Sequence, residues 1–212
     1  VIARVRRLMK IIALVCLGLF FLIAVVVVLT PLRSFNALVP KDGNVDAAAE
    51  GVRFGDDPRQ MLDVYRPANA GMMLPVIVFC YGGGWDSGDR GGYEFVGRSL
   101  AAAGFLTIVH DYRLVPEVRF PAFVEDTARA LAWTHANATA YGGDARRIFF
   151  VGHSAGAYNV MMAALDRRYF KAAGVPVTLR EYLTLMEAMA KDLAGRRVED
   201  FYYLSRAALV KD

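Results

Sequence analysis

Histidine is scarce in these 212 residues: three occur, at positions 110, 135 and 153, and none lies beyond. Chemistry that needs an imidazole later in the chain has none to draw on. Cysteine is scarcer, with two residues. Cys16 lies inside a long apolar run and Cys80 ends another, so a bridge between them is implausible and no disulfide framework is expected. Charge of one sign is also lacking outside one short segment. The net charge of +4 equals the contribution of Arg4, Arg6, Arg7 and Lys10, and the rest is near neutral, with no basic stripe or aromatic platform. That argues against a nucleic-acid partner. Internal repeats and low-complexity tracts are missing as well, and no cofactor or metal enters the reading. The length allows one domain plus attachments, or two small domains.

Apolar residues are in excess, at 56% of the chain, and many of them sit together in residues 11–30, IIALVCLGLFFLIAVVVVLT. Twenty residues at helical rise span roughly 30 Å, the thickness of a bilayer's hydrocarbon core. A buried core helix would keep a polar face, and this segment has none. The four cations precede it, so the positive-inside bias keeps the N-terminus cytoplasmic and exports the chain beyond Pro31. A cleavable signal peptide is the competing reading. The run is long for one, and no A-x-A-like site comes after Val28. Residues 1–30 are therefore expected to be a basic flank and a signal anchor in the inner (plasma) membrane, and residues 31–48 a linker.

Beyond the linker, strand and helix patterns alternate. Residues 49–54 and 61–65 read as a strand pair around the turn Gly55-Asp56-Asp57-Pro58. Continuous apolar runs at 75–81 (PVIVFCY), 105–109 and 147–151 (RIFFV) read as strands covered on both faces. Helical stretches at 93–103, 123–141 and 155–165 come after each of these strands in turn. The expected class is α/β, a parallel sheet with helices on both faces.

Two motifs carry chemistry. Gly152-His153-Ser154-Ala155-Gly156 is G-x-S-x-G placed between a strand and a helix. There it would form a strained turn holding the serine Oγ at the strand's carboxyl end, with glycines where side chains would strike the neighbouring strand or helix. Alone this is weak. About seventy residues upstream, Tyr81-Gly82-Gly83-Gly84-Trp85 directly follows the strand PVIVFC. A triple glycine after a strand can turn backbone N–H groups toward a developing oxyanion, and the N–H of the residue after the serine, Ala155, supplies another donor. The two motifs, in this order at strand ends, are far more specific than either alone.

The segments DPRQMLDVYRP, YGGGW, HDYRLVPEVRFPAFVEDTARALAW and YGGDARRIFFVGHSAGAYN resemble carboxylesterases related to hormone-sensitive lipase and to bacterial feruloyl-esterase-like enzymes, over about residues 45–168. The resemblance implies the N-terminal part of an α/β-hydrolase domain at 49–168. It further implies a small ester substrate, Ser154 as nucleophile, and Gly83, Gly84 and Ala155 as oxyanion donors. Tyr81 departs from it, since many relatives carry histidine there in a supporting role. Asp111-Tyr112-Arg113-Leu114 matches a segment that is chiefly structural in the family.

A general base and its orienting carboxylate are the missing parts. In α/β-hydrolases they come after the serine, and no histidine lies beyond Ser154. His153 is expected to point away from Ser154, His135 to be a solvated helix residue, and His110 to end a central strand with no carboxylate behind it. Residues 169–212 read as a helical tail. A capping box at 178–181 opens an amphipathic helix to 193, and a second helix covers 198–210. The tail's wording resembles the N-terminal segment of CoxE-like von Willebrand factor A-domain proteins, joined near residues 169–174. Strand 147–151 is then expected to be an open edge, making the domain poorly soluble. The alternative to an esterase is a catalytically silent remnant or a membrane-tethered interaction module.

Overall fold

A computed structural model describes residues 2–41, 43–175 and 203–207. The chain divides into two units, Val1–Pro40 and Lys41–Asp212. In the first, α1 (Ile2–Leu29) is long and apolar enough to cross a membrane by length and composition, with a mean hydropathy of 3.4 in its most apolar stretch. Residues 31–48, read as a linker, are more structured than that. Pro31–Leu38 form a second helix, α2, and the first strand begins at Val45. Pro31 starts α2 without cost because a first-turn N–H has no helical acceptor to lose. Thr30 joins the two helices, donating its Oγ1 to Val26 O at 2.8 Å while its own carbonyl accepts from Ser34 N.

The second unit is built on a six-stranded sheet, ordered β1-β2-β4-β3-β5-β6. The strands are β1 (Val45–Arg53), β2 (Met61–Pro67), β3 (Leu74–Cys80), β4 (Leu106–His110), β5 (Gly143–Gly152) and β6 (Tyr203–Ala207). β4, β3 and β5 run parallel, while β1, β2 and β6 are antiparallel to their neighbours. The mixed sheet thus replaces the wholly parallel one expected from the alternation, because the short connection from β1 to β2 can only make a hairpin. The apolar runs are indeed covered on both faces: Val76, Val78, Leu106, Ile108, Ile148 and Phe150 are all within 1% of complete burial.

Period-2 alternation sends successive β3 residues to opposite helices. Phe79 meets the Tyr93 ring, in the 3-10 turn that leads into α3 (Glu94–Ala102), at 5.7 Å between centroids. Its neighbour Cys80 meets Thr127 of α4 (Ala122–Asn137) and Asn159 of α5 (Ala155–Leu165). The chain leaves β3 through α3 to reach β4 on one side. It then returns through α4 to β5 on β3's other side. Strand order therefore reverses at β3, and the loops after β3 and β5 part toward opposite faces, which opens a crevice at their carboxyl ends.

Two expectations about the tail are corrected. β5 is not an open edge, because Tyr203–Ala207 pairs along Ile148–Gly152. The same five residues are strand and not part of a helix over 198–210. An edge strand offers a row of backbone groups that another strand can satisfy and a helix cannot. The helix expected over 179–193 lies outside the described residues. After α5, a short helix α6 (Arg167–Ala173) lays Phe170 against Phe150, the rings nearly parallel with centroids 6.4 Å apart.

Candidate active site

Both motifs emerge at the crevice. Ser154 stands between β5 and α5 with φ 51° and ψ −119°, a backbone conformation that L-residues rarely adopt. The turn is forced by close packing of backbone on backbone. A Cβ on Gly152 would sit 2.5 Å from Ala157 Cα, and one on Gly156 would overlap Cys80 O. His153 N donates to Cys80 O at 3.0 Å, tying the serine turn to the end of β3. The result is an exposed Ser154 at the N-terminus of α5, where the helix dipole favours negative charge.

The glycine loop presses against this turn. A Cβ on Gly82 would lie 2.9 Å from Ser154 Cβ. Gly84 and Trp85 come next with φ of 61° and 65°, two consecutive left-handed residues. Trp85 holds that conformation by donating Nε1 to Asn159 Oδ1 at 3.0 Å and by stacking on Phe123. Among the described residues, none accepts a hydrogen bond from the N–H of Gly83, Gly84 or Ala155. These N–H groups, unengaged among the described residues, belong to the serine turn and to the loop whose Gly82 packs on it, and backbone donors of this kind can stabilise an oxyanion.

Beneath the loop lies a partly buried ionic network, its carboxylates sealed and its arginines reaching solvent. Asp111 Oδ1 accepts from Tyr81 Oη at 2.8 Å and from Arg90 N at 2.7 Å, and Oδ2 accepts from Arg90 Nη1 at 2.5 Å. One carboxylate thus grips both stems of the loop. Arg90 also donates Nε to Asp63 Oδ1 at 2.8 Å, and Arg59 Nη2 donates to Tyr81 Oη and Gly88 O, each at 2.8 Å. Burial alone would lower the Arg90 pKa, but its hydrogen bonds to Asp63 and Asp111 outweigh this and raise it. Burial, then the Asp111 charge, pushes the Tyr81 hydroxyl well above the usual phenol range. Tyr81 is therefore a fixed neutral donor. Burial also pushes the Cys80 thiol up to about 12, against opposing hydrogen bonds from Thr127 and Asn159.

None of the three histidines hydrogen-bonds Ser154 among the described residues. His110 is wholly buried, which drives its pKa down, and its Nδ1 lies 2.9 Å from Asp111 O. A carbonyl only accepts, so Nδ1 carries a proton, and burial favours the ring without a second one. His153 turns its Nδ1 to within 3.3 Å of Tyr93 Oη. His135 is half-buried in the last turn of α4, less solvated than expected. Of the expected residues, Ser154 and Ala155 stand at the turn after β5, and Gly83 and Gly84 in the loop after β3, whose Gly82 packs against Ser154. Sequence reasoning missed Asn159, Arg90, Asp63 and Arg59, whose side chains bond partners between 12 and 79 residues away and obey no local spacing.

Residues 62–184 match the BD-FAE family model, well over half of the chain, and the protein belongs to that family of hormone-sensitive-lipase-like α/β-hydrolases. Curated relatives are esterases. Among them, a probable isoprenylcysteine alpha-carbonyl methylesterase of Oryza sativa subsp. japonica is 40% identical over 107 residues, which is 50% of this chain and 25% of that protein. Esterase LipC of Mycobacterium tuberculosis is 40% identical over 117 residues, 54% of this chain and 29% of its own length. Esterase B from Lactobacillus rhamnosis superposes with a TM-score of 0.62 at 26% identity, over 72% of this chain and 50% of that one. A bacterial heroin esterase gives 0.58 at 29% identity, over 65% and 44%. The chain spans between a quarter and a third of these two curated relatives, and half or less of the two solved structures.

Proposed function

We propose that this chain is a membrane-anchored serine carboxylic-ester hydrolase, with Ser154 as nucleophile and the N–H groups of Gly83, Gly84 and Ala155 as oxyanion donors. The observation that carries this is the strained Ser154 turn packed against the glycine loop, with the N–H groups of Gly83, Gly84 and Ala155 engaging no described residue. In the reaction, Ser154 Oγ bonds to the carbonyl carbon of a small ester while its proton passes to a general base. The carbonyl oxygen takes up the negative charge and is held by the three N–H groups. Collapse breaks the C–O bond to the alcohol, which leaves protonated, and water then releases the acid from the acyl-serine. The tether is α1, through residues 11–30, with the N-terminus cytoplasmic and the second unit exported. No cofactor is needed.

Neither His110, buried and neutral, nor His153, turned to Tyr93, serves as that base in this reading. Their placement favours a second reading, in which these 212 residues bind and acylate but turn over slowly or not at all. Phosphorylation by diethyl p-nitrophenyl phosphate tests the site: Ser154 Oγ bonds to phosphorus, p-nitrophenolate leaves, and the serine proton passes to water, so the reaction proceeds slowly without an imidazole base. The full chain in detergent should gain one diethylphosphoryl group with release of p-nitrophenolate, and Ser154→Ala should abolish both. Modification that survives Ser154→Ala would refute the assignment. A reporter fused after Lys41 that is active in the cytoplasm would refute the orientation.

A further inference from the structure

Gly83 and Gly84 share a peptide bond with no side chain on either side, the kind most easily flipped. A planar trans peptide points its C=O and N–H in opposite directions, so whatever holds the Gly83 carbonyl also aims the Gly84 N–H. That carbonyl is turned back into the loop. It accepts from Asp86 N at 3.2 Å, from Ser87 N at 3.0 Å and from Ser87 Oγ at 2.8 Å. The hydroxyl bond is the shortest of the three. Gly83 must be glycine here, since its φ is 149° and a Cβ would overlap Ser87 O. The Gly84 N–H therefore faces away from residues 86 and 87, out of the loop.

We infer that Ser87 is a positioning residue, its hydroxyl locking the Gly83–Gly84 peptide so that the Gly84 N–H is presented to the oxyanion. This rests on the reading of Ser154 as nucleophile. Ser87 does not touch the reacting atoms. It acts through one peptide, and its side chain is exposed, so its removal need not disturb the core. The two backbone donors to Gly83 O survive Ser87→Ala, so the peptide should spend part of its time flipped and not lose its orientation altogether.

The test compares the full chain with Ser87→Ala and Ser87→Thr in two measurements. The first is the rate of p-nitrophenolate release from diethyl p-nitrophenyl phosphate. The second is the amide signal of Gly84 in the glycine-labelled protein. Ser87→Ala should slow phosphorylation about tenfold, less than the roughly 10²–10³ lost on deleting an oxyanion donor outright. It should also shift or broaden the Gly84 signal at an unchanged unfolding midpoint, and Ser87→Thr should restore both. A parent-like rate with an unmoved Gly84 signal in Ser87→Ala would overturn the inference. So would a slower rate accompanied by a lowered midpoint and no recovery in Ser87→Thr. If the parent chain does not react at all, the Ser154 reading fails by itself. The Gly84 signal then still decides whether Ser87 holds the peptide.

Discussion

The serine turn and the glycine loop meet at one crevice, yet they are held by different means. The turn after β5 is fixed by backbone against backbone, with Gly152 on the α5 main chain and Gly156 on the carbonyls of Cys80 and Tyr81. The loop after β3 also packs closely, Gly82 against His153 O and Gly83 against Ser87 O, but it depends on more than packing. It is held by side chains drawn from across the unit, namely Asp111, Arg90, Arg59, Tyr81 and Asn159. Close packing is encoded locally, in a five-residue motif. A hydrogen-bonded scaffold is distributed over the chain, and it can be weakened one bond at a time.

The sharpest way to break this contrast is Asp111→Ala. It leaves Tyr81 without its carboxylate and Arg90 with Asp63 alone in a partly buried site, and should cost about 3 kcal/mol of unfolding free energy, read by denaturant titration. A loss under about 1 kcal/mol would mean that the loop does not depend on the network. Gly156→Ala comes next. Its Cβ has nowhere to go but into the β3 carbonyls, so about 2–3 kcal/mol should be lost, together with reactivity at Ser154. Tyr81→Phe removes one hydroxyl from the network while Arg90 N still reaches Asp111, and should cost about 1 kcal/mol. If Tyr81→Phe proves as damaging as Gly156→Ala, packing and hydrogen bonding are not separable here.

The smallest expected effect is a pH dependence. Burial holds the His110 pKa below its ordinary 6.5 in the folded chain, so the unfolded state binds the proton first. This contribution is constant above the ordinary value. As pH falls below it, stability is lost at up to about 1.4 kcal/mol per unit, until the folded-state value is reached. His110→Phe should flatten that acid limb in midpoints measured between about pH 5 and about pH 8. An unchanged limb would assign it to other groups.

The same contrast explains what could be read from the residues. The apolar runs of β3, β4 and β5 and the spacing of the two motifs are local patterns, and they were enough to set the two motifs at the ends of β3 and β5. The supports of the loop were not legible, because Trp85 and Asn159 are 74 residues apart and Asp63 and Arg90 are 27 apart. Asp111 was visible only as part of a structural segment. α2 escaped because Pro31 reads as a terminator but serves equally as a helix start. β6 escaped because its residues fit a helical spacing, and only the open edge of β5 makes the extended form favourable.

Cys80 gives the crevice a chemical clock. Its thiol is sealed at the point where β3 ends, between Thr127 and Asn159, and next to the carbonyl that anchors the serine turn. With a pKa held near 12, it offers almost no thiolate to a disulfide reagent while the structure is closed. Any modification of Cys80 must therefore wait for β3 to part from α4 and α5, and its rate would count those partings directly. A variant that loosens only the glycine loop would leave this clock at its native pace, whereas one that pries apart the serine turn would make it run fast.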